Sequence, residues 1–271
     1  MSSHPGPLTR TLRWFLPGLF ITALVLATVL REPGNASRTV RDALSEQLAQ
    51  ADNYFDQGKY SAARQIVEDL RNGNPSNAEV LWRLSYYTIN DGDAATDDAA
   101  KERLYRKSID YAEAAVRNDK RNSFARASLA AAYGSIGMFV GGKEKVRLAN
   151  RIRDELDEAL RINPRNQMAN TIYGTWHREV ATVGWVERQL ANVFLGGMPD
   201  GSLDKSITHF RAAIAEGPGV LRHHFELGLT YIAADRKQDA AAAFRTALKC
   251  RDGWKIDPLR RKYMREWLAD Q

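Results

Sequence analysis

The stretch GLTYIAADRKQDAAAAFRTA, Gly228 to Ala247, carries a spacing of small and large residues that recurs elsewhere in the chain. Steps of 3, 9, 4 and 3 residues connect its key positions: Gly228, Tyr231, Ala240, Phe244 and Ala247. The same steps connect a second set near the start of the sequence: Ala51, Tyr54, Ala63, Val67 and Leu70. Because steps of three and four residues keep side chains on one helix face, each stretch predicts a pair of packed helices.

The pattern recurs three times between these stretches, with extra residues between the paired helices. The first-helix small residues are Ala51, Ser85, Ala130, Gly174 and Gly228, at intervals of 34, 45, 44 and 54 residues. The middle three pairs have 11, 10 and 20 residues more between their helices than the outer two, and subtracting these excesses makes every interval 34. A 34-residue period is typical of the tetratricopeptide repeat. The sequence therefore predicts an all-α solenoid of about five repeats with inter-helix insertions.

Small side chains at the helix crossings hold each pair together in this interpretation. A small residue on the first helix admits the second helix, and a large apolar residue on the second helix fills the remaining space. The predicted packing residues are Ala51, Ala63, Ser85, Ala130, Ala159, Gly174, Ala213, Gly228, Ala240 and Ala247.

The N-terminal region differs from the rest in composition. The 17 residues Trp14 to Leu30 carry no charge, so we predict an uncleaved single-pass membrane anchor at residues 13–31. A cleaved signal peptide and a soluble helix are the alternatives. Arginines flank the segment on both sides, which leaves the membrane side of the body undetermined. Residues 1–12 then form a tail, 32–42 a linker and 43–255 the solenoid.

Residues 256–271 are predicted to form a capping helix, because Asp257-Pro258 is a good helix start and a solenoid needs a polar-backed end. An apolar stripe is expected to face the solenoid, formed by Leu259, Tyr263, Met264 and Trp267. Three arginines are expected to face away: Arg260, Arg261 and Arg265.

The three insertions are the informative departures from the repeat. The first, residues 90–102, is acidic but lacks the order of a calcium loop, and we interpret it as a solvated linker with helix N-caps. The second contains Gly141-Gly142 without a phosphate-loop motif and is interpreted as a hinge. The third predicts an extra amphipathic helix from about Gly184 to Leu195, whose aromatic residues either belong to the core or line an apolar groove. The candidate groove residues are Tyr133, Tyr173, Trp176, His177, Trp185, Glu187, Arg188 and Phe194.

The region around this insertion resembles the regulator of microtubule dynamics family, over about residues 47–250. The resemblance rests on Gly174, Trp176, Val180, Trp185, Glu187, Arg188, Ala191, Phe194, Gly196 and Pro199, with the Phe210 helix following. It implies a helical adaptor without family-wide catalytic residues. It further implies that some members are membrane-anchored, associate with microtubules or organelle contacts, and bind phospholipid in the repeat groove.

Composition and motifs limit the remaining function classes. The net charge is +6, but basic and acidic residues are interspersed, so no nucleic-acid partner is expected. No metal, cofactor or catalytic motif is predicted, and we interpret His177 as a hydrogen-bonded helix histidine. We expect a membrane-anchored adaptor, not an enzyme, that binds a protein or peptide partner in its concave groove. The alternative is a lipid-binding or lipid-transfer module that holds a phospholipid there.

Overall fold

The computed structural model describes residues 33–194 and 197–271, without the side chains of residues 33–40, Trp185, Val186, Leu190 and Phe194. The compact unit that contains the repeats spans Leu48–Gln271; of the other unit, Met1–Gln47, only the beginning of the first helix is described. The described ranges contain twelve α-helices and no strand: α1 Pro33–Asp56, α2 Tyr60–Gly73, α3 Ala78–Ala94, α4 Asp98–Asn118, α5 Ser123–Ile136, α6 Gly142–Ile162, α7 Gln167–Ala181, α8 Trp185–Phe194, α9 Leu203–Glu216, α10 Leu221–Ala233, α11 Lys237–Ala247 and α12 Asp257–Ala269.

The helices form five successive pairs, which confirms the predicted all-α solenoid. The first helices of the pairs are α1, α3, α5, α7 and α10, and the second helices are α2, α4, α6, α9 and α11. Helix α8 is the extra element inside the fourth pair and contacts α6, whereas α12 follows the fifth pair and contacts both of its helices.

Small residues occupy the helix crossings, as at Gly174 and Gly228. A Cβ added to Gly228 would lie 2.3 Å from the ring of Phe244, and one added to Gly174 would lie 2.8 Å from the ring of Phe210. Ser206 lies opposite Gly174 and donates a hydrogen bond to its carbonyl oxygen at 2.7 Å. The other predicted packing residues are fully buried: Ala51, Ala63, Ser85, Ala130, Ala159, Ala213, Ala240 and Ala247.

Polar side chains at the start of the first helices connect one repeat to the next. Asn122, the N-cap of α5, accepts a hydrogen bond from the N–H of Ala125 and donates one to Glu79 of the preceding repeat at 2.6 Å. Asn166, the N-cap of α7, likewise donates to Ser123 at 2.7 Å. These asparagines therefore satisfy exposed helix-end N–H groups and fix the spacing of neighbouring repeats.

Two predicted loops are largely helical. Helix α1 begins at Pro33, inside the predicted linker 32–42, because no further proline or glycine follows Gly34 until Gly58. The first insertion is a linker only at residues 95–97, where Asp97 caps α4 as expected, because α3 continues to Ala94 and Asn90 is buried. Gly92 admits the ring of Tyr105, whose hydroxyl donates to Asp93 at 2.7 Å. This insertion therefore lengthens the helix pair.

The capping helix α12 has the predicted position, but part of the predicted orientation is wrong. Met264 is fully buried and Trp267 packs edge-on against Phe244, as expected. Leu259, however, is 68% exposed, whereas Arg260 is buried and pairs with Asp257 at 2.7 Å. Asp257 turns inward to accept backbone N–H groups of the preceding loop, and Arg260, one turn later, follows it.

The predicted membrane anchor, residues 13–31, lies outside the described residues. Among the helices that the structure does describe, none combines the length and apolar character needed to cross a bilayer.

Three rings stack between α7 and α9, and two of them, those of Tyr173 and His177, are buried. The ring of Tyr173 lies 4.8 Å from that of His177 and 4.7 Å from that of His209. His177 is buried, and its Nδ1 has no hydrogen-bond partner among the described residues, so the predicted hydrogen-bonded helix histidine is wrong. Burial, followed by the charges of His209 and Lys205, lowers the pKa of His177 from 6.5 to about 4. The imidazole is therefore neutral near pH 7 and acts as a packing group.

Because the Phe244 ring lies so close to Gly228, replacing this helical glycine by alanine should lower the stability of the protein instead of raising it. Alanine normally stabilises a helix interior by ~0.5–1 kcal/mol relative to glycine. In Gly228→Ala the new Cβ meets the buried Phe244 ring, and overpacking costs ~1–3 kcal/mol, so we expect net destabilisation in urea unfolding. The control is Gly134→Ala in α5, where a Cβ meets nothing within 4 Å. Equal effects of the two substitutions would contradict the packing role of Gly228.

The neutral imidazole of His177 predicts a loss of stability in acid. Because the unfolded chain binds this proton with a pKa near 6.5, the free energy of unfolding should fall as the pH drops from about 6.5 to about 4. The slope for one such histidine is ~1.4 kcal/mol per pH unit, and above pH 6.5 its contribution is constant. His177→Phe keeps an aromatic ring without titration, so its unfolding curves between pH 7.5 and 4 should show a smaller slope. An unchanged slope would contradict a neutral buried His177.

Candidate functional site

A cavity of about 890 Å³ lies within the repeat unit and is lined by all five first helices. Aromatic and large apolar residues from successive helices form much of its wall: Phe55 of α1, Trp82 and Tyr86 of α3, Phe124 of α5, Met168 of α7 and Leu221 of α10. The connection between α11 and α12, residues 248–256, which we call the closing segment, forms another part of the wall. The cavity therefore collects side chains from every repeat.

The closing segment crosses from the fifth repeat to the second. Its Trp254 is 3% exposed, packs edge-on against Tyr86 with ring centroids 4.9 Å apart, and donates from Nε1 to the Tyr86 hydroxyl at 3.2 Å. The next residue, Lys255, donates from its backbone N–H to Asn90 at 3.0 Å and pairs with Asp91 at 2.6 Å. These contacts join elements about 165 residues apart and close one side of the cavity.

One charge cluster on the wall places a single cation between two carboxylates, so its formal charge is −1. Arg83 pairs with Asp52 at 2.7 Å and with Glu79 at 2.8 Å, and its guanidinium lies 4.2 Å from the centroid of the Trp82 ring. Burial alone would raise the pKa of Glu79, but hydrogen bonds from Trp82, Arg83 and Asn122 lower it overall. This cluster is charged at neutral pH and fixes the orientation of the Trp82 ring.

A second group of cations lines the cavity where α10 begins. Arg222 is partly buried, and its guanidinium lies 5.0 Å from the Trp254 ring centroid. Arg251 of the closing segment lies close by, because its backbone forms a parallel β-bridge with Val220. Burial, followed by the charges of Arg222 and His224, lowers the pKa of His223 to about 3, so this histidine is neutral here. Arginine and lysine therefore supply the positive charge of this end.

None of the six predicted groove residues whose side chains the structure describes lines the cavity. Tyr133, Tyr173, Trp176 and His177 belong to the buried core instead. Their polar atoms face away from the cavity: Tyr133 donates to Glu113, Tyr173 to Asp157 and Trp176 to the carbonyl of Ala149.

Of the four groove candidates on α8, the structure describes the side chains of two, Glu187 and Arg188. Glu187 is exposed, and Arg188 donates to the carbonyl oxygens of Val180 and Pro199, so it ties α8 to the loop after it. The side chains of Trp185 and Phe194 lie outside the described part of the chain. The extra helix itself is present at the predicted position.

Sequence reasoning missed the residues that do line the cavity. Trp82 and Tyr86 lie one turn apart beside the packing residue Ser85, on the first-helix face that repeats leave open. Trp254 is a large aromatic residue in a turn-rich connection, which needs a partner elsewhere to be buried. Cys250 also lines the cavity, and burial raises the pKa of its thiol, which disfavours the nucleophilic thiolate.

Comparisons with solved structures agree with the fold. A tetratricopeptide-repeat protein of Thermus thermophilus superposes with a TM-score of 0.58, covering 83% of this chain and 99% of its own, at 18% identity.

Comparisons with curated proteins agree with the resemblance found in the sequence. Regulator of microtubule dynamics protein 1 of Bos taurus is 25% identical over 73% of this chain and 62% of its own length. The protein of the same name from Caenorhabditis elegans is 21% identical over 75% of this chain and 89% of its own. The chain thus spans a little over three-fifths of the bovine relative.

The family profile described as "Regulator of microtubule dynamics protein 1-3" matches residues 47–270, which include the last ten residues of α1 and all of helices α2 to α12. That match covers most of the chain and all of the cavity wall. The chain therefore belongs to the regulator of microtubule dynamics protein 1-3 family.

Proposed function

We propose that this protein is a membrane-anchored adaptor that binds an extended segment of a partner protein in the cavity. The observation that carries the proposal is the wall itself, to which all five first helices contribute. Solenoid repeats bind extended partners along such surfaces, because successive repeats present side chains at a regular spacing. The proposal assigns binding, and no catalysis, to the cavity.

The size and chemistry of the cavity support a peptide ligand. Its volume of about 890 Å³ falls in the range of ligand sites, ~300–1,000 Å³, which suits a short stretch of chain and excludes a folded domain. The rings of Trp82 and Tyr86 provide large contact areas, and the Tyr86 hydroxyl, which accepts a hydrogen bond from Trp254, has its own proton to donate. Extended backbone needs both kinds of contact, because its own amide groups stay unpaired.

The charged part of the wall favours a peptide over phospholipid acyl chains. Asp52, Glu79 and Arg83 lie beside the rings of Phe55 and Trp82, and an acyl chain in that place would remove water from charged groups without replacing it. A peptide carries polar amide groups between its side chains, so it can contact both the charged groups and the aromatic rings of the wall.

Filling the cavity should abolish peptide binding. We expect full-length protein to select binders from a phage-displayed library of random decapeptides, and fluorescein-labelled copies of these peptides to bind in an anisotropy assay. Met168→Trp places an indole into the cavity and should weaken binding at least ~tenfold. Met138→Trp is the matched control, because Met138 is 63% exposed and lies outside the wall. Equal binding by both variants would place the peptide site elsewhere.

The membrane part of the proposal rests on the uncharged stretch Trp14 to Leu30. We expect full-length protein in cells to remain in the membrane pellet after alkaline carbonate extraction, and a chain that lacks residues 1–31 to appear in the supernatant. Release of the full-length protein by carbonate would contradict an integral anchor.

A further inference from the structure

We infer that the cavity selects an acidic peptide, and that Arg222, Lys249 and Arg251 bind its carboxylate. This inference rests on the proposed peptide-binding function and names the chemistry of the ligand. The three cations line one end of the cavity, which we call the basic end.

The basic end is assembled by tertiary contacts between two distant segments. Arg222 belongs to the first turn of α10, whereas Lys249 and Arg251 follow α11. The β-bridge between Val220 and Arg251 brings the two segments together, and the ring of Trp254 supports the Arg222 guanidinium. Lys249 and Arg251 are exposed, so a ligand in the cavity can reach them.

The ion pairs of the wall leave positive charge uncompensated. Asp52 and Glu79 pair with Arg83, Asp252 pairs with Arg261, and Asp257 pairs with Arg260. Among the described residues, no carboxylate lies within 4.0 Å of the charged nitrogens of Arg222, Lys249 or Arg251. Of the acids on the wall, only Asp56 remains outside these pairs, and Asp52 and Glu79 share the single positive charge of Arg83, so the three cations exceed the unmatched carboxylate charge there by one.

The nearest acids do not cancel the basic end. Glu226, one turn after Arg222, is committed to Arg178 at 2.8 Å. Burial and the charge of Asp52 raise the pKa of Asp56, while Arg251 lowers it. The Nε atom of Arg222 is buried and has no hydrogen-bond partner among the described residues.

The backbone at the start of α10 adds to the positive electrostatic potential of the basic end. Its N-cap is Val220, which has no side-chain oxygen to accept the first N–H groups of the helix, whereas α3, α5, α7 and α9 have capping side chains. Pro218, Gly219, Val220 and Leu221 all line the cavity. The positive end of the helix dipole therefore lies at the same place as the three cations.

The test uses full-length protein and the peptides selected from the random decapeptide library. Each selected peptide is compared with a copy in which every Asp and Glu is replaced by Asn and Gln. We expect selected sequences to be enriched in acidic residues, and neutral copies to bind at least ~tenfold more weakly. Arg222→Gln should weaken the acidic peptides by a similar factor and leave the affinity for neutral copies unchanged, as in a double-mutant cycle.

Two kinds of control separate charge recognition from misfolding. Arg245→Gln is the matched control, because Arg245 is exposed on α11 and lies outside the wall. Lys249→Gln and Arg251→Gln change exposed residues, so they should weaken acidic peptides while the thermal unfolding midpoint stays that of the unaltered protein.

Each contrary outcome overturns a different statement. Neutral peptides that bind the unaltered protein but not Met168→Trp would refute the acidic selectivity and keep the peptide function. Failure to select any binding peptide would refute both. Arg222-dependent binding of vesicles of phosphatidylcholine with phosphatidylserine, without peptide binding, would replace the peptide by an anionic lipid.

Discussion

The close contact between a first-helix glycine and a second-helix phenylalanine is the constraint on which the other features depend. At Gly228 and Gly174 the absence of a Cβ lets a buried ring lie directly against the helix backbone. Such an approach turns the outer faces of the first helices toward one side, where they cannot be covered by their own partners. Much of the cavity wall consists of those uncovered faces, so the packing that builds each repeat also creates the proposed binding surface.

Neighbouring repeats are positioned by polar side chains, and the two ends of the array are joined by an aromatic one. Asn122 and Asn166 cap helices and bond to the preceding repeat, which gives each repeat a defined position relative to the last. Trp254 then packs against Tyr86 and turns an open surface into a cavity. The Trp254 ring also lies against the Arg222 guanidinium, so the residue that closes the cavity also positions one of its cations.

The residues that carry the family resemblance predict the packing of the fourth repeat, but they do not predict the residues of the cavity wall. The residues that identify the family around Trp176 hold the fourth repeat together: Trp176 is buried, and Arg188 fastens α8 to the following loop. Their specificity as a sequence pattern reflects the demands of packing an inserted helix. The wall residues follow no motif, because a binding surface needs only suitable chemistry at suitable places.

The sequence by itself determined the helix pairs, their common period, the extra helix α8 and the capping helix, because helix periodicity and small-residue spacing are local properties. It did not determine that residues 33–42 and 90–94 are helical, or that Arg260 is buried while Leu259 is exposed. Those outcomes depend on partners far along the chain, such as the turn that Asp257 stabilises. Only the tertiary structure decided the location of the cavity, because the contact between Trp254 and Tyr86 joins residues 168 positions apart and leaves no periodic trace in the sequence.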